Sequence, residues 1–174
     1  LFIWTRPYRA YPEYKYLKGF SVCISEFKIN AGSFLTRLKT GNYLLYQLSY
    51  LKAKEKGLDE AIILNQQGYL AEASRSNIFL IKEKTLFTPS LECGCLKGIT
   101  RKVIMDIARK NNIEVKEGCF TLEDLYNSEE AFLTNSLMGV MPLNTLEKRR
   151  IGSNKFKLTR FLNKEYNYLL RYGK

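Results

Sequence analysis

The chain has 174 residues, 45% of them hydrophobic and 26% charged, which fits one soluble globular domain with a real core. No apolar run is long enough to span a bilayer, and the opening LFIWTRPYR is interrupted too soon, by Arg6 and Pro7, to be a secretory signal. The formal net charge is +11, but Lys and Arg are spread along the chain, so an anionic small substrate or cofactor is expected rather than nucleic acid or a membrane.

In chain order, residues 19–29 (GFSVCISEFKI) partly alternate, are β-rich and predict a strand. NAGSF predicts a turn. FLTRLKTGNYLLYQLSYL then carries Lys39 at the junction between a polar loop and a helix over residues 42–56. That lysine reads by default as a solvated charge, with an amine aimed into a pocket as the alternative. The helix is expected to bury Leu44, Leu45, Leu48 and Leu51, to turn Lys52, Lys54, Glu55 and Lys56 to water, and to stop at Gly57. AIILN and YLAEAS predict two strands about a QQG turn, and NIFLI and TLFTP repeat the hairpin about KEK.

A helix is predicted over residues 99–112, with Val103, Ile104, Ile107 and Ala108 as its buried stripe. IEVKEGCF predicts a strand, and TLEDLYN a short helix with Thr121 and Asp124 in a capping box. EAFLTNS and GVMPLNTL predict strands with a bend between them. Lys148, Arg149 and Arg150 fall beside a predicted turn, and FKLTRFLNKEYNYLLRYG closes the chain as a helix. Hairpins predominate over strict β-α alternation. The expected fold class is therefore α+β, an antiparallel or mixed sheet domain with flanking helices.

Histidine is absent, which removes Ser-His-Asp and Cys-His mechanisms. Any proton transfer falls to a lysine, tyrosine, carboxylate or cofactor. The four cysteines, Cys23, Cys93, Cys95 and Cys119, lack the spacing of a zinc or redox motif and read as reduced thiols of a cytoplasmic protein; no metal is expected.

Three features are costly unless they serve something. Strand alternation puts Leu70 and Glu72 on one face, opposite Ala71 and Ala73, so a buried Glu72 would need a partner; a strand-end glutamate turned to water fits the pattern as well. In KGITRK, the N–H groups of Ile99 and Thr100 and the Thr100 hydroxyl suit an anion cradle at a helix start, or a plain cap. In LTNSLMGVMP, Asn135 and Ser136 supply donors at a strand end, or close an Asx turn.

The order Lys39, Glu72, Gly98-Ile99-Thr100, Asn135-Ser136, within LKTGNYL, DEAIILNQQGYLAEASRSNIFLI, LFTPSLECGCLKGITR and AFLTNSLMGVMPL, resembles the fold-type IV pyridoxal-phosphate enzymes. These are the class IV aminotransferases and the aminodeoxychorismate lyases, and the resemblance runs from about residue 19 to the closing helix. It implies pyridoxal 5′-phosphate as cofactor. It also implies that Lys39 is the catalytic lysine holding it and moving the substrate's Cα proton, and that Glu72 faces the pyridine nitrogen. Ile99 and Thr100, with Asn135 and Ser136, would hold the phosphate. Tyr43 would stand near the ring hydroxyl, and Arg75 would meet phosphate or a substrate carboxylate.

Asn42 follows Lys39 by three positions and not the four of branched-chain enzymes, and TNSLMGVMP looks most like the lyases. The implied reaction is the 4-amino-4-deoxychorismate lyase type, giving 4-aminobenzoate and pyruvate in folate synthesis. A D-amino-acid or branched-chain aminotransferase is the alternative, and a non-catalytic truncated binding domain the alternative of another class. The resemblance further implies a homodimer acting on a small anionic, amino-acid-like substrate. The aromatic-rich ends, WTRPYRAYPEYKY and EYNYLLRY, are the candidate interfaces. Residues 1–18 are expected to be an interdomain link or first strand region, and 19–174 the cofactor-binding large domain. The smaller N-terminal domain of the family is expected to lie outside this chain.

Overall fold

The computed structural model describes residues 2–5, 7–153 and 155–173; Leu1, Arg6, Asn154 and Lys174 lie outside the described residues. Its strands are β1 (Phe20–Ile24), β2 (Glu60–Leu64), β3 (Leu70–Ala73), β4 (Asn77–Lys82), β5 (Thr85–Pro89), β6 (Val115–Gly118), β7 (Glu130–Asn135), β8 (Gly139–Leu146) and β9 (Arg149–Arg150). The helices are α1 (Glu13–Lys18), α2 (Leu44–Glu55), α3 (Ile99–Lys110), α4 (Leu122–Tyr126) and α5 (Lys157–Tyr172). The expected α+β class holds. The strands form one mixed sheet in the order β3-β2-β1-β8-β7-β4-β5-β6, with β9 paired to β8.

The sheet curls back on itself. A bridge between Ala73 and Ser76 brings the end of β3 beside the start of β4, although the two lie in opposite halves of the strand order. Alternation along the central strands serves two cores. Ile78, Leu80, Ala131 and Leu133 join Phe20, Val22, Ile62 and Met141 in one cluster. Phe79, Ile81 and Phe132 join Ile104, Ala108, Leu162 and Tyr166 beneath α3 and α5 in the other. Phe79 and Phe132 are cross-strand partners with stacked rings 4.9 Å apart. Both faces of β4 and β7 are therefore apolar, as strands covered on both sides require.

Four expectations change. Within residues 1–18, Glu13–Lys18 is a short helix and not a strand. The first strand stops at Ile24, and Ile29 makes only an isolated bridge to Asn65. Helix α2 buries Ser49 and Ala53, while Leu44, Leu48 and Leu51 are exposed; small residues let it lie close on β2, and the leucines end up on the outer side. The register of β2 and β3 shifts between Ile63 and Leu64, so Ala71 is an extra residue. That bulge puts Leu70 in the first core and turns Glu72 to the other face, opposite Ile63.

Candidate active site

Glu72 is 6% exposed, and its Oε2 accepts the Leu96 backbone N–H at 3.1 Å. The Tyr46 hydroxyl lies beside it, and Lys39 is close enough to act on it through space. Burial dominates all the same and pushes the Glu72 carboxyl up to about 7, against the opposing pull of Leu96, Tyr46 and Lys39. A carboxylate in this state is poised for a cation. Lys39 itself is exposed, in the segment between a 3-10 turn at Phe34–Arg37 and α2. Tyr43 is the N-cap residue of α2 and 53% exposed.

Leu96 ties Glu72 to the start of α3. Its carbonyl accepts the Gly98 N–H and the Asn77 side-chain N–H, both at 2.8 Å. A Cβ on Gly98 would stand 2.1 Å from Asn77 Oδ1, so only glycine fits there. Gly98 caps α3 without any side-chain hydrogen bond, which leaves the N-terminal N–H groups of this 12-residue helix free for a ligand. Thr100 is buried, whereas the Ile99 side chain is 83% exposed and only its backbone faces the cradle's chemistry.

The end of β7 lies beside this cradle. Thr134 is the cross-strand partner of Asn77 and shares its face. Among the described residues, the buried hydroxyls of Ser76 and Thr134 have no hydrogen-bond partner within the protein. Two orphaned donors near an uncapped helix start are what an anion with several acceptor oxygens would satisfy.

Asn135 does close an Asx turn, because its Oδ1 accepts the N–H groups of Leu137 and Met138 at 3.0 and 2.8 Å. Its amide also donates to the Arg75 carbonyl at 3.0 Å, joining the β7–β8 turn to the β3–β4 turn, and Ser136 is exposed at the tip. The Arg75 guanidinium lies 3.3 Å from the Tyr50 ring centroid. Glu60, buried behind the same turn, accepts from the Ser74 hydroxyl and the Ala61 N–H, and burial raises its carboxyl too.

Lys39, Glu72, the Gly98-Ile99-Thr100 cradle, Arg75 and Asn135-Ser136 thus share one end of the sheet. Tyr46, Asn77, Leu96, Ser76 and Thr134 belong with them and were missed. Asn77 stood inside a quoted motif. Tyr46 had a signal as well, since it lies one helical turn beyond Tyr43.

The sequence pattern of the Amino-transferase class IV family matches residues 1–146. The chain is 38% identical over 138 residues to an aminodeoxychorismate lyase of Bacillus subtilis, covering 78% of this chain and 45% of that protein. It is 36% identical over 122 residues to a branched-chain-amino-acid aminotransferase of Pseudomonas aeruginosa, covering 70% and 39%. The fold matches the T.th. branched-chain amino acid aminotransferase solved with pyridoxamine 5′-phosphate: TM-score 0.84, 28% identity, 88% of this chain and 52% of that one. The chain spans about half the length of the relatives it matches. It belongs to the amino-transferase class IV family of pyridoxal-phosphate enzymes.

Proposed function

We propose that this chain carries the catalytic and cofactor-binding residues of a pyridoxal-phosphate lyase that converts 4-amino-4-deoxychorismate to 4-aminobenzoate and pyruvate, as in folate synthesis. The observation that carries the cofactor reading is Glu72, buried beside Tyr46 on the Leu96 N–H and tied through Leu96 to the free N-terminus of α3. The residues fit the group. The α3 N–H groups, Thr100, Ser76, Thr134 and Ser136 would hold its phosphate, and Glu72 its ring nitrogen. Bound there, the cofactor supplies an electron sink for charge developing at the substrate's Cα.

The chain's own residues do the rest. Lys39 offers the amine that anchors the cofactor's aldehyde carbon and takes the Cα proton. Glu72 keeps a proton on the ring nitrogen. Asn135 fixes the turn that presents Ser136. Arg75 offers a fixed positive charge for a substrate carboxylate. The lyase is favoured over a transaminase by the TNSLMGVMP turn and the three-residue step from Lys39 to Asn42. The second reading, an aminotransferase of D- or branched-chain amino acids, draws on the 36% identity to the Pseudomonas enzyme.

The tests separate these. Added pyridoxal 5′-phosphate is expected to give the protein a visible absorption band that Lys39→Ala abolishes. A wild type that stays colourless sinks both enzymatic readings. Release of 4-aminobenzoate from aminodeoxychorismate with no amino acceptor supports the lyase; turnover only with an amino acid and an oxo acid replaces it with the transaminase. The reading also carries a cytoplasmic homodimer. Exposed Phe34, Leu35, Leu44 and Leu48 beside Lys39 are the surface such a dimer would cover, and sedimentation that stays monomeric at high concentration removes it.

A further inference from the structure

Tyr46 reaches Glu72 from a different element than Leu96 does. Its ring, with Leu45 of α2, packs against Ile29, Ile63 and Ala71. Ile63 is the cross-strand partner of Glu72. The same side of the β2–β3 ladder therefore supports the Tyr46 ring and presents the carboxylate. The register shift in β3 creates this meeting, because without it Glu72 would face the opposite core. The Tyr46 hydroxyl lies beside Glu72, and burial with the nearby carboxylate raises the phenol's pKa, so it keeps its proton to donate. The other titratable groups acting on this pair are Lys39 and Cys95.

We propose that Tyr46 is a positioning residue for Glu72: its hydroxyl and the Leu96 N–H together orient the carboxylate and favour its ionised form, leaving acceptor capacity for the protonated ring nitrogen of the cofactor. This rests on the reading of Glu72 as the ring nitrogen's partner. The phenol acts through the carboxylate and is not itself a reacting group. Tyr43, the tyrosine the sequence pointed to, is more exposed and begins the helix that delivers Tyr46.

Carboxyl-13C glutamate labelling lets Glu72 be titrated directly by NMR, its signal assigned from its loss in Glu72→Gln. Tyr46→Phe keeps the ring packing and removes one donor to the charged form. The Glu72 midpoint is then expected to rise by about one pH unit, a tenfold change in its protonation equilibrium. An unchanged midpoint overturns the proposal. Should Tyr46→Phe not fold, 3-fluorotyrosine placed at position 46 keeps the shape and strengthens the donor; the midpoint is expected to fall, and a midpoint that stays put overturns the proposal equally. Cofactor uptake is read separately, from the visible band of the wild type. Absence of that band defeats the cofactor reading, whereas the Glu72 midpoint decides Tyr46. In loaded protein, the pH profile of the band should move upward in Tyr46→Phe, a shift that a purely structural tyrosine would not cause.

Discussion

At the scale of single residues, Glu72 is a site where stability has been given up. Its carboxyl, ordinarily near 4.5, sits at about 7 in the folded chain. Below pH 4.5 it is protonated folded and unfolded, and costs nothing. Between 4.5 and 7 the unfolded chain releases the proton and the folded chain keeps it, so stability falls as pH rises. Above 7 the cost is complete, roughly 3 kcal/mol from the size of the shift. Glu60 acts in the same sense. Glu72→Gln removes only the first contribution. Its urea unfolding free energy is expected to match wild type near pH 4.5 and to exceed it by roughly 2–3 kcal/mol at pH 8. An equal difference at both pH values would mean that Glu72 is not raised. Cysteine accessibility gives a second check. Cys119 is exposed, whereas Cys23, Cys93 and Cys95 are buried. An alkylating reagent should therefore label one cysteine in the native protein and all four after unfolding.

At the scale of elements, the sequence was most legible where a local rule fixed the geometry. The capping box of Thr121 and Asp124 starts α4 as expected, and the four hairpin strands from β2 to β5 fall where alternation placed them. Glycine before Ile-Thr starts α3 at the expected residue. Elsewhere the deciding contact was tertiary. No local signal marks the bulge that turns Glu72 away from Leu70. Likewise α2 reads as a leucine-faced helix, yet its packing against β2 selects Ser49 and Ala53. Among the candidate residues, Lys39, Glu72 and the cradle could be ordered from motifs and Tyr46 had its helical spacing from Tyr43, but the Leu96 backbone and the orphaned hydroxyls depend on groups meeting across the fold. Asn77 and Gly98 form the tightest such meeting. Gly98→Ala would push the Asn77 amide off Leu96, and about 1–3 kcal/mol of stability should be lost with it. Asn77→Ala makes room for that methyl, so the double variant should lose clearly less than the sum of the two single losses. Strict additivity in thermal unfolding would refute the clash. A third element depends on one carboxylate, since Glu130 accepts from the N–H groups of Leu158 and Thr159 and from the Thr159 hydroxyl at the start of α5. Glu130→Ala should cost about 1–2 kcal/mol, read from the denaturation midpoint.

At the scale of the whole molecule, the curl of the sheet puts the site residues at one end, where a single ligand would touch β3, α3, the β7–β8 turn and the segment bearing Lys39. Such a ligand cross-links elements far apart in the chain, and binding only the folded form must raise global stability. At a free concentration one hundred times the dissociation constant the gain is about 2.7 kcal/mol, which for a chain of this size corresponds to roughly 5–10 °C in the unfolding midpoint. The pH dependence follows from Glu72. A cation opposite the carboxylate favours its ionised form, so binding releases the proton that the free site holds below about 7. Apparent affinity for pyridoxal 5′-phosphate should therefore climb with pH up to about 7, and the Glu72 contribution should level off above it. Calorimetric scans with and without cofactor at pH 6 and pH 8 would show a larger upward shift at pH 8. Condensation with the cofactor's aldehyde carries its own pH dependence, so wild type alone does not isolate the carboxylate. Glu72→Gln does isolate it, because it should lose the step near 7 and keep the rest of the profile. A variant whose cofactor-induced shift follows the wild-type pH profile throughout would mean that the buried carboxylate does not face the ring nitrogen as proposed.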